Sequence, residues 1–220
     1  MNRVIIVMAK VPIPGTVKTR LQPHFSSDQC AALAKAFLLD AITKSKTVCQ
    51  NVILAYSPPE KINVLREFLP ARNVLIEQTG GDLGQRMCNA FQFAFAQNPD
   101  SVVLIGTDSP TFPAEFIESA FDFLESKIDV VLGKTADGGF YLIGLKTLHE
   151  KIFERVSWST AATFAQTAAN ISRLNLRLRQ IPDWYDVDEP ADLARLEREF
   201  SISAAARKTA AQTYLLLKKI

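Results

Sequence analysis

Residues 102–110, VVLIGTDSP, constrain the fold of this chain most strongly. The apolar first half of this stretch, bounded by turn residues, is typical of a strand that helices cover on both faces. Such strands belong to open α/β sheets, in which ligands bind beyond the carboxyl ends of the strands. Asp108 would lie at that end, and Pro110 predicts that the chain leaves as a loop. The Asp108 carboxylate is suited to hold a hard cation, or else to hydrogen-bond its own turn or cap a helix.

The composition fits one domain that binds a small molecule. The chain has 220 residues, of which 48% are hydrophobic, enough to fill a sizeable core. Lys and Arg total 25 against 23 acidic residues, so the net charge of +2 supplies no broad basic surface for nucleic acid. We therefore expect a small-molecule partner and no nucleic-acid partner.

The cysteines and the apolar runs predict a cytoplasmic protein without a membrane span. Cys30, Cys49 and Cys88 are odd in number and far apart, which fits neither a disulfide framework nor a zinc site. The apolar start, residues 4–9, is too short for a signal peptide or a membrane span, and no other run approaches membrane length.

The hydrophobic periodicity predicts strands alternating with helices. Strands are expected over residues 4–8, 51–56, 74–77, 102–106 and 129–133, with a half-exposed strand at the sheet periphery over 174–181. Helices are expected over residues 28–46, 60–69, 113–126, 147–155 and 161–172, after the glycine-rich segment described below, and late in the chain. This order predicts a single three-layer α/β/α domain with a mostly parallel central sheet.

The last twenty residues are alanine-rich and end in a leucine run. We predict that residues 1–200 form the domain. Residues 201–220 are predicted to form an amphipathic helix that docks on the domain or on a partner subunit, so a homodimer is possible.

A basic loop follows the first predicted strand. Residues 9–21, AKVPIPGTVKTRL, place Lys10, Lys18 and Arg20 beside two prolines and Gly15. Arg binds phosphate through two N–H groups, Lys adds a point charge, and loop amides add donors. Neither a P-loop nor a dinucleotide fingerprint matches. The loop predicts a phosphate site or, alternatively, a solvated basic loop.

A glycine-rich segment, QTGGDLGQRM at residues 78–87, joins the third predicted strand to a helix. Its glycines permit close approach of the backbone to a ligand, and amides at a helix N-terminus favour anions. Arg86 could bind a phosphate there or pair with Asp82. A plain strand-to-helix turn is the alternative, although it needs fewer glycines.

Two further parts of the sequence, residues 133–145 and Trp158, can each be interpreted as structural or as functional. Residues 133–145 join two apolar runs through Asp137, Gly138 and Gly139, which predicts a hairpin or a bent strand pair. Asp137 at its tip is either a plain turn residue or a site residue. Trp158 stands between two hydroxyl residues, and it either stacks on a ring or packs in the core or a lid.

Five acidic residues precede the late helix: Asp183, Asp186, Asp188, Glu189 and Asp192. Asp188 is a natural helix N-cap. Capping explains one acid and not five, so a second metal-binding carboxylate is the competing interpretation.

Six sequence blocks occur in an order typical of one family: AKVPIPGTVKTRL, QTGGDLGQRM, VLIGTDSP, KTADGGFYLIGL, VSWST and WYDVDEPADL. They resemble bacterial GT-A-like glycosyltransferases associated with radical-SAM and selenoprotein-type domains and, more distantly, the sugar-nucleotide and cofactor nucleotidyltransferases. The likeness covers roughly residues 4–196. It implies a GT-A, or nucleotide-diphospho-sugar transferase, fold that binds an NTP or NDP-sugar with Mg²⁺ or Mn²⁺.

The resemblance also implies roles for individual residues. Gly15, Lys18 and Arg20 map to the phosphate loop of that superfamily, and Gln78, Gly80 and Gly81 map near the base of the nucleotide. Together with Lys10, Asp82 and Arg86 from the residue patterns above, they form the predicted nucleotide-binding set. Asp108 would hold the metal and Asp188 would complete the site, with Asp186 as the alternative second ligand. A D-x-D triplet, usual in many glycosyltransferases, is missing around Asp108, which leaves the acceptor open.

We therefore predict a metal-dependent transferase that moves a glycosyl or nucleotidyl group from a nucleotide-activated donor to a small acceptor. Lys18 and Arg20 would neutralise phosphate charge, and Asp137 is the candidate base. The acceptor-side set is Asp137, Gly138, Gly139 and Trp158. A non-catalytic nucleotide-binding module, acting as a sensor or scaffold, is the alternative; the missing G-x-G-x-x-G counts against an NAD(P)-linked reductase.

Overall fold

A single mixed sheet forms the centre of the protein. The computed structural model describes residues 1–22 and 24–220. Within them the strands are β1 (Arg3–Lys10), β2 (Val52–Ser57), β3 (Val74–Glu77), β4 (Ser101–Ile105), β5 (Val130–Thr135), β6 (Phe140–Leu145) and β7 (Leu178–Trp184). Their order in the sheet is β3-β2-β1-β4-β6-β5-β7. This confirms the predicted α/β architecture with a mostly parallel sheet. The third strand was predicted over residues 74–77, which are the bounds of β3.

Six of the seven strands run in the same direction. β1 pairs in parallel with β2 and β4, β2 with β3, and β5 with β7, whereas β6 is antiparallel to both β4 and β5. The carboxyl ends of β1, β4, β5 and β7 therefore open onto one edge of the sheet. The basic loop follows β1, Asp108 follows β4, and the acidic stretch that contains Asp188 follows β7. The topology therefore brings these three segments together.

Helices cover both faces of the sheet. They are α1 (Ser27–Val48), α2 (Ile62–Arg66), α3 (Leu83–Phe95), α4 (Ala114–Glu125), α5 (Thr163–Arg173), α6 (Pro190–Ile202), α7 (Ala204–Thr209) and α8 (Ala211–Leu217). α1, α2 and α4 pack with one face of the sheet, and α3 and α5 with the other. α6 and α7 pack on the side of α1 that faces away from the sheet.

Helix α1 begins at a capping box and is buried on two sides. The Ser26 side chain accepts from the Gln29 backbone at 3.2 Å, and the Gln29 side chain accepts from the Ser26 backbone at 2.8 Å. Leu38 and Ala41 face the sheet, whereas Phe37 lies in the cluster formed with α6. α1 is therefore the shared wall between the sheet and the C-terminal helices.

A buried carboxylate ties α8 to α1. Asp40, 2% exposed, accepts hydrogen bonds from the backbone of Gln212 and from the backbone and hydroxyl of Thr213 at 2.6–2.9 Å. α8 has no side-chain cap of its own, and Asp40 satisfies the amides at its first turn. Two short helices, α7 and α8, thus occupy the region where one terminal helix was predicted.

Two other predicted elements differ from the structure. The half-exposed strand begins at Leu178 and not at Leu174, although it lies at the sheet edge as predicted. Asn175 adopts a left-handed backbone, φ 54°, and turns the chain after α5 ends at Arg173. The helix predicted over residues 147–155 is a single 3-10 turn, Glu150–Phe153.

The thiols and the longest helices bear on disulfides and membrane insertion. Cys30, Cys49 and Cys88 are free thiols. Among the helices of residues 1–22 and 24–220, none combines the length and the apolar character that a bilayer crossing requires.

Candidate active site

Lys18 brings the two predicted metal carboxylates together. Its ammonium group contacts Asp108 Oδ1, lies 3.0 Å from Asp188 Oδ1 and donates to the Val187 carbonyl at 2.8 Å. The Lys18 side chain is 5% exposed, whereas those of Asp108 and Asp188 are 50% and 43% exposed. Two acids eighty residues apart in the sequence therefore face solvent side by side, above a buried positive charge.

The electrostatics keep Lys18 charged. Burial lowers the pKa of Lys18, but the negative charges of Asp108 and Asp188 and their hydrogen bonds outweigh burial and leave the pKa raised. The sequence predicted Lys18 as a phosphate-binding residue, whereas the structure places its ammonium group in contact with both carboxylates.

Neither of these two acids caps a helix. Glu189, not Asp188, is the N-cap of α6, and it forms a capping box with Asp192. The chain enters α4 through Pro113 without a side-chain cap, so Asp108 has no capping role there either. The capping interpretation, open for both acids from the sequence, therefore does not account for their positions.

A third carboxylate, Asp186, lies deeper in the same site. Its side chain accepts a hydrogen bond from the Ser109 hydroxyl. Burial raises the pKa of Asp186 to about 7, the hydrogen bond from Ser109 opposes the rise, and the charges of Asp108, Asp188 and Asp137 add to it. Four acids thus share one electrostatic environment at this edge of the sheet.

The loops that carry the acids are tied to each other. The Val187 amide donates to the Asp108 carbonyl at 2.8 Å. The Glu199 carboxylate on α6 accepts from Thr111 Oγ1 at 2.8 Å and from the Tyr185 hydroxyl at 2.5 Å. These bonds fix the loop after β4 against the loop after β7, which limits the loss of conformational entropy when the site binds a ligand.

Lys44, on α1, is a buried cation to which no role was assigned from the sequence. Lys44 is 4% exposed, donates to the Pro110 carbonyl at 2.9 Å and lies 3.5 Å from the centre of the Phe112 ring. Burial lowers its pKa to about 7, although the charges of Asp40 and Glu199 oppose this. The available signal was the Asp40–Lys44 spacing of four residues on the buried face of a helix.

The lowered pKa of Lys44 predicts a pH-dependent stability. An unfolded lysine titrates near pH ~10.4, so above about pH 7 the unfolded chain binds more protons than the folded one. The free energy of unfolding should therefore rise with pH in this window. Between about pH 7 and about pH 8.5, we expect the natural protein to gain up to ~1.4 kcal/mol per pH unit relative to Lys44→Met.

Urea unfolding of both proteins at several pH values measures this difference. Parallel curves for the natural protein and Lys44→Met would contradict a Lys44 that loses its proton near neutral pH.

The glycine-rich segment shapes the start of α3. Asp82 is the N-cap, accepting from the Gln85 amide at 2.8 Å, and Arg86 Nε donates to the Gly80 carbonyl at 3.2 Å and does not pair with Asp82. Gly80 has φ 131°, and a Cβ there would lie 2.7 Å from Gln85 Cβ. A Cβ on Gly84 would lie 2.5 Å from the Trp158 ring. Local packing thus accounts for two of the three glycines.

The Gln78 side chain forms hydrogen bonds to strands β1 and β2 near their carboxyl ends. Its side-chain NH₂ donates to the Ala9 carbonyl at 3.0 Å and to the Ala55 carbonyl at 2.8 Å. These bonds hold the side chain between the carboxyl ends of β1 and β2. The position is adjacent to the basic loop that follows β1.

The basic loop itself is open to solvent. Lys10, Gly15 and Arg20 are exposed, and Gly15 has φ 80°. Arg20 forms an exposed ion pair of 3.5 Å with Glu189, which contributes little to stability. Two cations of this loop are therefore accessible to an anionic ligand.

The residues predicted for the acceptor side form a tight hairpin tip and a packed aromatic. Asp137 Oδ1 accepts from Thr135 Oγ1 at 2.5 Å and from the Gly139 amide at 3.0 Å. A Cβ on Gly138, which has φ 93°, would lie 2.3 Å from the Ala161 carbonyl. β5 and β6 thus form the predicted hairpin, and Trp158 packs edge-on against Phe140 with ring centroids 6.3 Å apart.

The donor atoms at the site fit a hard divalent cation in part. Among the residues that the structure describes, no three His, Cys, Asp or Glu side chains form a ready metal shell. Asp108 Oδ1, Asp188 Oδ1 and the Val187 carbonyl nevertheless surround one positive charge with oxygen atoms. Carboxylate and carbonyl oxygens are the ligands of Mg²⁺ and Mn²⁺, which take further ligands from water and phosphate.

Comparison with solved structures places the fold among the nucleotide-diphospho-sugar transferases. A protein from Desulfovibrio desulfuricans G20, provisionally described as a nucleotide-diphospho-sugar transferase, is 32% identical with a TM-score of 0.92, over 100% of this chain and 95% of that one. The CMP:2-keto-3-deoxy-manno-octonic acid synthetase complexed with CTP is 11% identical with a TM-score of 0.58, over 91% of this chain and 99% of that one. A manganese complex of Rv0371C from Mycobacterium tuberculosis H37Rv is 14% identical with a TM-score of 0.52, over 89% and 97%.

The sequence also matches a family model over residues 39–160. The chain belongs to that family, DUF2064, described as "Uncharacterized protein conserved in bacteria". No curated protein matches the sequence.

Proposed function

We propose that this protein is a metal-dependent transferase that uses a nucleotide-activated donor and a small-molecule acceptor. The observation that carries the proposal is the convergence of Asp108 and Asp188 on one positive charge. This pair lies at the carboxyl edge of the sheet, next to a basic loop, where ligands of open α/β sheets bind. Glycosyl transfer from an NDP-sugar and nucleotidyl transfer from an NTP both remain within the proposal.

The fold neighbours support the general class. One of them is described as a nucleotide-diphospho-sugar transferase, another is a synthetase bound to CTP, and a third is bound to manganese. The neighbour that is 32% identical supports the nucleotide-sugar reading more strongly than the other two, which share only the fold. The association with radical-SAM and selenoprotein-type domains stays a prediction of the sequence resemblance.

Each part of the site has a proposed task. Asp108 and Asp188 hold Mg²⁺ or Mn²⁺, with Asp186 as the alternative second ligand, and a bound divalent ion would neutralise phosphate charge as the leaving group departs. Lys10 and Arg20 bind phosphate oxygens from the exposed loop after β1. The nucleotide lies along the segment from Gln78 to Arg86, near Gly80 and Gly81.

The acceptor is proposed to bind beside the β5–β6 hairpin. Asp137, Gly138 and Gly139 form its tip, and Trp158 borders the start of α3. Asp137 Oδ1 already accepts two hydrogen bonds within the hairpin, so a role as catalytic base falls to its second oxygen. We retain Asp137 as the candidate base on that ground.

We also propose how the chain is divided between the transferase domain and its C-terminal segment. Residues 1–200 constitute the transferase domain and residues 201–220 dock on it, supported by the hydrogen bonds between Asp40 and α8. Leu215 is 52% exposed in α8, which leaves an apolar side chain available to a partner subunit.

A ligand panel with and without Mn²⁺ tests the function. A nucleotide at a hundred times its Kd adds about 2.7 kcal/mol to the free energy of unfolding, or about 5 to 11 °C in Tm for a chain of this size. We expect such a shift for an NTP or an NDP-sugar only when the cation is present. Release of pyrophosphate or of NDP during acceptor screening then separates nucleotidyl from glycosyl transfer.

Two results would count against an enzyme. Metal-dependent binding without turnover across a broad acceptor screen would favour the non-catalytic nucleotide-binding module. Absence of any nucleotide-dependent shift would remove the nucleotide from the proposal.

A further inference from the structure

The position of Lys18 bears on the order in which the site binds the cation and the nucleotide. We propose that the Lys18 ammonium is a built-in placeholder for the divalent cation, and that cation binding displaces it. The inference rests on the proposed function, since it concerns the same carboxylates. It adds a competition between a side chain and the metal, and with it an order of ligand binding.

The ammonium occupies a shell that would suit a cation. All three of its N–H donors are used, on Asp108 Oδ1, Asp188 Oδ1 and the Val187 carbonyl. Three oxygen atoms from two different loops therefore already converge on one point. A divalent ion that used these oxygens would find them pre-positioned, because backbone and side-chain bonds fix the two loops against each other.

The ammonium and the cation cannot both use these oxygens. Mg²⁺ and similar ions bind oxygen at about 2.0–2.6 Å, whereas an ammonium donates over about 2.7–2.9 Å. Both charges would then lie within a few ångströms of each other, where like charges repel strongly. The half-exposed carboxylates give the cation a path from solvent, so the ion enters from outside and Lys18 leaves.

The displaced side chain stays on the basic loop. Lys18 has a left-handed backbone, φ 49° and ψ 36°, between the buried Val17 and the exposed Arg20. Once released from the carboxylates, the ammonium would be available to solvent and to an anionic ligand. Lys18 would thus become the phosphate cation predicted from the sequence only after the metal has bound, and the nucleotide would bind second.

Metal affinity tests the competition. We expect Lys18→Met to lower the Kd for Mn²⁺ alone by about tenfold or more, because the metal no longer has to displace the ammonium. Lys10→Met removes the same charge from the same loop without touching either carboxylate, and we expect it to change the Kd by less than about twofold. Unchanged or weaker Mn²⁺ binding by Lys18→Met, measured by calorimetry, would overturn the placeholder role.

Chemical labelling of the unaltered protein gives a second readout. The buried Lys18 amine should react slowly with an acetylating reagent, and MnCl₂ alone should raise its rate severalfold, while the exposed Lys10 amine serves as the reference in the same sample. Mass spectrometry of the labelled peptides reports both rates.

The two readouts separate this inference from the proposed function. If Mn²⁺ binds but Lys18 stays protected, the metal uses the outward carboxylate oxygens and the placeholder role is wrong while the proposed function stands. If Mn²⁺ binds neither the unaltered protein nor Lys18→Met, both are wrong.

Discussion

Replacing Asp108 with asparagine is expected to abolish metal-dependent stabilisation and turnover. The substitution removes one of the two carboxylates that contact Lys18 and keeps the side-chain volume. Mutating the indirect partners of metal ligands already costs about 10–100-fold in affinity or activity. For a direct ligand we expect Mn²⁺ binding to weaken by at least about a hundredfold. Calorimetry with Mn²⁺ and the product-release assay measure the two losses.

The same variant should fold nearly as well as the natural protein. Lys18 keeps its bonds to Asp188 and to the Val187 carbonyl, and Asp108 is half exposed, so the loss in the free energy of unfolding should be only ~1 kcal/mol. Asp183→Asn is the matched control, because Asp183 is an exposed acid in the stretch that carries Asp188 and bonds only to Gln180 in the structure. Retained metal dependence in Asp108→Asn would contradict the assignment of this carboxylate.

Replacing Asp40 with alanine is expected to give the largest loss of stability among the changes considered. The substitution leaves three buried or half-buried donors of α8 without an acceptor and removes a negative neighbour of the buried Lys44. Burial raises the pKa of Asp40, which offsets part of its benefit, so we expect a loss of about 3 kcal/mol. Urea unfolding gives the total, and hydrogen exchange of the α8 amides shows whether that helix loosens first.

Thr213→Val is the graded control for this prediction. It removes only the hydroxyl donor and keeps the two backbone bonds to Asp40, so a loss of about 1 kcal/mol is expected. Equal losses for Asp40→Ala and Thr213→Val would show that the backbone bonds to Asp40 contribute nothing.

The central part of the fold could be predicted because its signals are local. The buried run before Asp108 is strand β4, residues 74–77 are strand β3, and the Asp-Gly-Gly turn joins β5 to β6. In each case a few neighbouring residues determine the element. The place of β7 at the edge of the sheet could also be predicted, because its alternation of apolar and polar residues is typical of a half-exposed strand.

The contacts within the site could not be predicted in this way. Lys18 meets partners 90 and 170 residues away, and its left-handed backbone has no signal in a lysine. The N-cap of α6 lies one residue later than predicted, at Glu189, and that single step frees Asp188 for the site. Asp is a preferred N-cap residue and Glu is not, so the position of the cap reflects the tertiary contact of Asp188 with Lys18 and not local preference.

The double burial of α1 also bears on how the chain folds during synthesis. Residues 27–48 are made early, whereas α8, which Asp40 holds from 173 residues away, is made late. The apolar side of α1 that faces away from the sheet packs against α6 and α7, which are also made late, so it lacks these partners until they have been translated. Contacts of such long sequence separation slow folding and leave apolar surface exposed to aggregation meanwhile. A truncation before residue 213 should therefore lower the amount of folded protein more than it lowers the activity of the molecules that do fold.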